Sequence, residues 1–154
     1  MTIRPARTED LAAVREIFRE YAAWVGDAIC FTAFERELVE LPGRYAPPGG
    51  TLLLAFSGAE LAGCAALRQL DGGTGEMKRL YVRAGVRGQG AGRDLVEAVV
   101  DEARALGYER LVLDTLPRME SAIGLYSAMG FQPILPYGEN PAGALCFELR
   151  LKNS

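Results

Sequence analysis

The stretch YVRAGVRGQGAGRDLVEAVV, Tyr81 to Val100, constrains the fold more than any other part of the chain. Three of its glycines, Gly88, Gly90 and Gly92, fall on alternate positions between a strand-like run and a run with helical apolar spacing. The spacing of Leu95, Val96, Val99, Val100, Ala103 and Leu106 predicts a helix from about Gly90 to Leu106, stopped by Gly107. The apolar run ERLVLDT, Glu109–Thr115, then reads as a buried strand returning parallel to the one before the glycines. A strand, a crossover helix and a parallel strand make a βαβ unit.

Other elements surround this unit. Thr2–Arg4 reads as a short strand, and a helix follows, entered through Thr8 with Glu9 and Asp10 in its first turn and ended near Gly26. A second helix covers about Phe31–Glu40, and LPGRYAPPGG reads as a loop. TLLLAFS, ELAGCAALRQL and EMKRLYV form a three-strand meander, its second turn being Asp71–Gly75. Past the βαβ unit come a helix over about Glu120–Met129 and two last strands, FQPILP and GALCFELRL. No repeat, low-complexity tract or linker interrupts the 154 residues, so residues 1–154 read as a single domain.

Composition removes several classes of function. A net charge of −3 gives no basic field for nucleic acid or an anionic membrane. The apolar run Thr51–Phe56 is too short for a membrane span, and the charged start MTIRPARTED has no secretory h-region. Cys30, Cys64 and Cys146 are scattered and apolar-flanked, which suits reduced core residues in a cytoplasmic protein and neither disulfides nor a zinc site. Most informative is the absence of histidine. It excludes Ser-His-Asp and Cys-His triads, HExxH metal sites and a histidine base, leaving Glu, Asp, Tyr, Lys or Cys for proton transfer.

A helix N-terminus presents unpaired N–H groups and the positive end of the helix dipole, so the glycine turn reads as an anion cradle, flanked by Arg87 and Arg93. The dinucleotide fingerprint GxGxxG fails by one residue, because Arg93 stands where Gly or Ala is needed. Asp114 imitates that motif's ribose-binding acid, which keeps a nucleotide-binding domain as an alternative. A Walker loop fails because no Gly-Lys-Ser or Gly-Lys-Thr follows the glycines.

A third pattern fits. Arg87-Gly88-Gln89-Gly90-Ala91-Gly92 reads Arg-x-x-Gly-x-Gly, and AIGLYSAMGF, Ala122–Phe131, reads Ala-x-x-Leu-Tyr-x-x-x-Gly-Phe. With MKRLYVRAGVRGQGAG around the first motif, and over the whole chain in element order, the sequence resembles the GCN5-related N-acetyltransferases (GNAT). The resemblance implies an α/β (α+β) fold: a mixed, mostly antiparallel sheet of 6–7 strands with about four helices, the central βαβ unit carrying the acyl-CoA loop. It implies acetyl-CoA as acyl donor, no metal, and direct transfer of acetyl to a primary amine through a ternary complex. The amides of Gly88, Gln89, Gly90, Ala91 and Gly92, with Arg93 near them, would receive the pyrophosphate, and Arg87 would shape the loop. Leu80, Tyr81 and Val82 would border the pantetheine, at a β-bulge that splays the strand and exposes backbone groups.

By the same resemblance Tyr126 would be the general acid for the departing thiolate, although it also shares a core face with Ala122, Leu125 and Met129. Glu76 would be the base, directly or through a water, with burial raising its pKa; a solvent-facing strand-end charge paired with Lys78 or Arg79 is the other reading. Asp114 and Thr115 are further polar groups near the crevice, and a backbone N–H around Val82 would face the oxyanion. Two positions depart from the family pattern: Met119 stands for an Asn that binds the pantetheine arm, and Ala84 for a Pro.

Arg44, Tyr45, Tyr137, Glu139 and Asn140 are placed at the acceptor mouth, with Arg44 suited to a carboxylate. By the same resemblance the acceptor would be a small-molecule amine or a peptide amino group, and homodimerisation through the last strands is a family-level expectation. A non-catalytic acyl-CoA-binding or regulatory domain is the alternative from another class.

Overall fold

The computed structural model describes residues 1–26 and 31–151. Seven strands form one sheet in the order β1-β2-β3-β4-β5-β7-β6. They are β1 (Thr2–Pro5), β2 (Thr51–Ser57), β3 (Glu60–Asp71), β4 (Thr74–Val82), β5 (Arg110–Thr115), β6 (Gln132–Ile134) and β7 (Leu145–Arg150). All neighbours pair antiparallel except β4 and β5, which are parallel as the βαβ reading requires. Four α-helices flank the sheet among the described residues: α1 (Leu11–Val25), α2 (Phe31–Glu40), α3 (Ala91–Ala105) and α4 (Glu120–Ala128).

Side-chain alternation along the strands gives the sheet two apolar faces, each with its own helices. Leu53, Ala65, Leu67 and Met77 face α3, whose Leu95, Val96, Val99, Val100 and Ala103 are all buried against them. Tyr126 and Phe131, from α4 and the residues after it, complete that core. On the opposite face Leu52, Leu54, Cys64 and Ala66 meet Val14, Ile17 and Phe18 of α1 and Phe34 and Leu38 of α2. Burying each such Leu or Phe is worth about 1.5–3 kcal/mol, so the helical stripes dock both helix pairs.

Local chemistry sets the ends. A short 3-10 turn, Thr8–Asp10, precedes α1, and Asp10 accepts the Arg7 amide at 2.7 Å while pairing with Arg4 at 2.7 and 3.1 Å. That carboxyl is pulled down to about 2, chiefly by the Arg4 hydrogen bond. Gly26 and Gly107 stop α1 and α3 with φ of 74° and 85°. The β3–β4 turn is tighter than the sequence suggests: Asp71 faces Thr74, so only Gly72 and Gly73 turn, and Thr74 and Gly75 already belong to β4. Likewise β6 keeps only Gln132–Ile134 of FQPILP. Cys64 and Cys146 are buried free thiols, and Cys30 lies outside the described residues.

Candidate active site

β4 and β5 pair only at Thr74–Arg110, Gly75–Leu111 and Glu76–Val112. Beyond these pairs β4 runs on to Val82 beside β3, and β5 runs on to Thr115 beside β7. The strands part into a wedge, and from Met77 onward the edge of β4 that faces β5 has no strand to pair with. A cavity of about 960 Å³ fills the wedge.

A bulge follows on the diverging part of β4. Ala66 opposes Lys78 and Cys64 opposes Tyr81, so Arg79 and Leu80 together oppose the single Ala65. Arg79 takes φ of 63°, which costs a non-glycine residue roughly 1–2 kcal/mol. Its side chain offsets that cost. The guanidinium grips Glu37 at 2.9 and 2.8 Å and lies 5.5 and 5.4 Å from the ring centroids of Tyr21 and Phe34. Its carbonyl accepts from Cys64 Sγ at 3.3 Å. A strained backbone held by a half-buried ion pair thus lies on the open side of the wedge.

One side of the wedge ends at the glycine turn. Gly88 and Gly90 take φ of 85° and 84°, and a Cβ at either would meet nothing within 4 Å. Backbone conformation, not space, is therefore what calls for glycine there. No side chain caps α3, and its first backbone bond is Asp94 N–H to the Gly90 carbonyl at 3.0 Å. The amides of residues 88–93 have no hydrogen-bond partner among the described residues. Six free donors at the positive end of a four-turn helix make an anion site.

Gly88, Gly90, Ala91, Gly92, Arg87, Leu80, Tyr81 and Val82 all line the wedge. Gln89 and Arg93 do not. Arg93 turns along the helix to Glu97 at 3.0 Å, with both side chains about half exposed. The Arg87 side chain braces the loop, donating from Nε to the Val82 carbonyl at 2.8 Å and lying 5.4 and 5.7 Å from the Trp24 and Tyr81 ring centroids.

Tyr126 reaches the same cavity from α4 while its ring packs on Phe131 and Phe147. Its hydroxyl has no hydrogen-bond partner among the described residues, and burial pushes its pKa up. Thr115 Oγ1 contacts Met119 Sδ at 3.6 Å, and both residues line the cavity.

Lys78, two residues after Glu76, shares its sheet face, opposite α3, and there the polar groups gather. Glu76 is 2% exposed, with Oε1 on Arg68 Nε at 2.8 Å and Oε2 accepting from the Tyr137 hydroxyl. The expected rise in its pKa is corrected here. Burial alone would raise it, but Lys78, Tyr137 and Arg68 together hold it below the usual carboxylate range. Neither is Glu76 solvent-facing, and it is absent from the cavity wall, as is Tyr137. Asn140 does line the cavity, donating Nδ2 to Asp114 Oδ2 at 2.8 Å and receiving the Tyr137 and Gly138 amides at 3.0 and 3.2 Å. The Tyr137–Asn140 loop is thereby tied to both wedge strands. Glu139, Asp114 and Thr115 line the wall as well.

Arg44 and Tyr45 are elsewhere. Tyr45 is buried against Phe18 in the α1/α2 core, its hydroxyl without a hydrogen-bond partner among the described residues. Arg44 is exposed and donates to the Gln69 carbonyl at 2.7 Å. The Pro- and Gly-rich loop that carries them folds back over the β3–β4 end of the sheet instead of over the wedge. Conversely, sequence reading named Lys78 only as a pairing partner for Glu76 and passed over Arg68, Glu37, Trp24 and Arg118, the last donating to the Trp24 and Val25 carbonyls at 3.0 and 2.7 Å. Glu76-x-Lys78 alternation could have flagged Lys78. Nothing local marks the pairing of Glu37 with Arg79, 42 residues apart.

An open parallel wedge closed at one end by an uncapped, glycine-fronted helix could hold an extended ligand with an anionic segment. Comparison with known proteins gives the class. Residues 11–131 match the model of the acetyltransferase (GNAT) family, and the chain belongs to that family. An uncharacterized N-acetyltransferase of Schizosaccharomyces pombe is 37% identical over 86% of this chain and 83% of its own. An IAA acetyltransferase of Azospirillum brasilense is 35% identical over 84% and 85%. The fold matches that of YncA from Salmonella typhimurium, solved with its cofactor acetyl-CoA, with a TM-score of 0.79, 24% identity and coverage of 99% and 95%. A GNAT-family acetyltransferase from Staphylococcus aureus Mu50 matches with a TM-score of 0.82, 21% identity and coverage of 98% and 99%.

Proposed function

We propose that residues 1–154 act as one acyl-CoA-dependent N-acyltransferase, moving acetyl from acetyl-CoA to a primary amine by direct transfer in a ternary complex. The observation that carries this reading is the wedge itself, which runs from an unpaired β4 edge to the free amides of residues 88–93. Those groups suit the donor: the amides would hold its diphosphate, and the β4 backbone from Met77 to Val82 would pair with its pantetheine amides as an added strand does. Acetyl-CoA supplies the acyl group already activated as a thioester.

Proton transfers fall to groups on the wall. Tyr126, kept protonated by burial, would give its proton to the departing sulfur. Asp114 keeps Oδ1 free of hydrogen bonds among the described residues and would take the ammonium proton of the acceptor, directly or through a water. Glu76, with both oxygens engaged, would act as a positioning residue that fixes Arg68 in the wall and Tyr137 behind it. We place the protein in the cytoplasm, where the Cys64 and Cys146 thiols would stay reduced. A homodimer would form across the β6 edge, beside which Leu135 is 85% exposed.

Thermal unfolding with acetyl-CoA, CoA and NAD, followed by thiol release with an amine panel, tests the reading. Acetyl-CoA at 100 times its Kd should add about 2.7 kcal/mol. No shift with any CoA ester would overturn it. Tight acetyl-CoA binding without turnover would leave an acyl-CoA-binding domain in its place.

A further inference from the structure

We propose that the acceptor is a primary amine bearing a carboxylate, and that this carboxylate docks on the Lys78 ammonium; the inference rests on the acyltransferase reading above. Among the described residues, five cationic side chains line the cavity: Arg68, Lys78, Arg79, Arg87 and Arg118. Every arginine among them is hydrogen-bonded: Arg68 to Glu76, Arg79 to Glu37, Arg87 to the Val82 carbonyl, and Arg118 to two carbonyls at the end of α1. Lys78 is not. Its nearest carboxylate oxygen, Glu76 Oε2, is 3.9 Å away and already accepts from the Tyr137 hydroxyl. Three N–H donors are therefore unspent on a side chain only 17% exposed.

An ammonium withdrawn from water without a hydrogen-bond acceptor is costly even with Glu76 3.9 Å away, and burial lowers the Lys78 pKa. A carboxylate arriving from solution would supply the missing acceptor at hydrogen-bond distance. Its position suits an acceptor. Met77 packs against α3, so its neighbour Lys78 points to the other sheet face, away from the helix that fronts the donor cradle. Across the wedge, Asp114 has an oxygen available for the ammonium of the same molecule. A zwitterion thus meets a cation and an anion on opposite walls. A second positive group on the acceptor would meet Lys78 with Arg68 and Arg79 beside it, which disfavours polyamines. The carboxylate assigned from sequence to Arg44 belongs on this strand instead.

The test uses matched acceptors, α-amino acids and their carboxamides, with acetyl-CoA and the whole protein. The wild type should prefer acid over amide by about 10- to 100-fold in kcat/KM, the range of one charge-assisted hydrogen bond, carried mainly by KM. In Lys78→Met that ratio should fall towards one, and Lys78→Arg should restore part of it. A wild-type ratio near one overturns the inference without any variant. A Lys78→Met protein that loses the same factor on both acceptors also overturns it, since that is a structural effect. Should no amine react, the same pairs are read by equilibrium binding to the CoA-loaded protein, where absence of acid selectivity is equally decisive. Loss of acetyl-CoA binding by the wild type would bring down the acyltransferase reading and this one together. Intact acetyl-CoA binding with no acid preference brings down this one alone.

Discussion

The two ends of the wedge are built on different principles. The glycine end is made of backbone, contiguous in sequence, and its donors are free because the helix has no cap. The opposite end is made of side chains from α2, β3, β4, β5 and the Tyr137–Asn140 loop, and nearly all are engaged with one another. On the proposed function, a backbone cradle would recognise what all donors share, an anionic diphosphate. An interlocked side-chain wall can be re-specified by exchanging one residue, and on the proposed function it would carry the choice of acceptor. The contrast predicts different consequences for damage at each end.

The largest effect is expected at Glu76. Glu76→Ala would deprive the half-buried Arg68 and Lys78 of their buried carboxylate and release Tyr137, at about 3–5 kcal/mol of stability, the range for breaking a buried pair. Chemical denaturation reads it, and a loss under 1 kcal/mol would show the wall to be less interlocked than described. The same carboxyl gives acid sensitivity a direction. Because its folded pKa lies below the ordinary 4.5, its contribution is complete above that pH and disappears as pH falls through the folded value. In Glu76→Ala the low-pH decline should be shallower, which melting curves from pH 6 to 2 would reveal.

Next is Tyr126, which belongs to neither end. Its ring is core and its hydroxyl faces the cavity wall, so Tyr126→Phe separates the two contributions. If the hydroxyl gives its proton in the transition state, kcat falls about 100-fold, or about 2.7 kcal/mol, with KM for acetyl-CoA nearly unchanged. A kcat within threefold of wild type would reduce Tyr126 to a core aromatic.

The same division explains what could be read in the sequence. Strand and helix periodicities, the βαβ unit and the glycine cradle are local patterns, so they were legible and their boundaries moved by only a few residues. The bulge was reached through resemblance, not from the residues: no single-strand pattern states that Arg79 must take positive φ, because Glu37 and two rings from other elements hold it there. Arg44 and Tyr45 misled for a related reason. A polar loop rich in Pro and Gly looks like a mouth, but Tyr45 supplies core to α1 and draws the loop away. Glu76 was legible as a residue of interest and not in its titration, since the sign of that shift depends on three partners that only folding assembles.

At the glycine end the expected effects are smaller and backbone-borne. Gly90→Ala places a Cβ in open space but in the left-handed region, so it should cost about 1–2 kcal/mol, shared between folding and donor binding. A Gly92→Ala control separates conformation from bulk: Gly92 has no positive φ, and its Cβ would make ordinary contacts at 3.8 and 3.9 Å. Equal losses at the two positions would mean that space, not φ, governs the cradle.

Arg93→Ala closes the series with the smallest change. As a cation beside the cradle it invites assignment to the diphosphate, yet its guanidinium is committed to Glu97 one turn along an exposed helix face. Such a pair is worth only about 0.2–0.5 kcal/mol, so the melting temperature should barely move. The informative readout is acetyl-CoA affinity as a function of salt. If the free amides alone hold the anion, Arg93→Ala and wild type should lose affinity with rising salt along parallel lines, offset by less than twofold. A variant that binds tenfold more weakly, with a flatter salt dependence, would show that Arg93 leaves Glu97 when the donor arrives and that side chains share in recognition at the glycine end too.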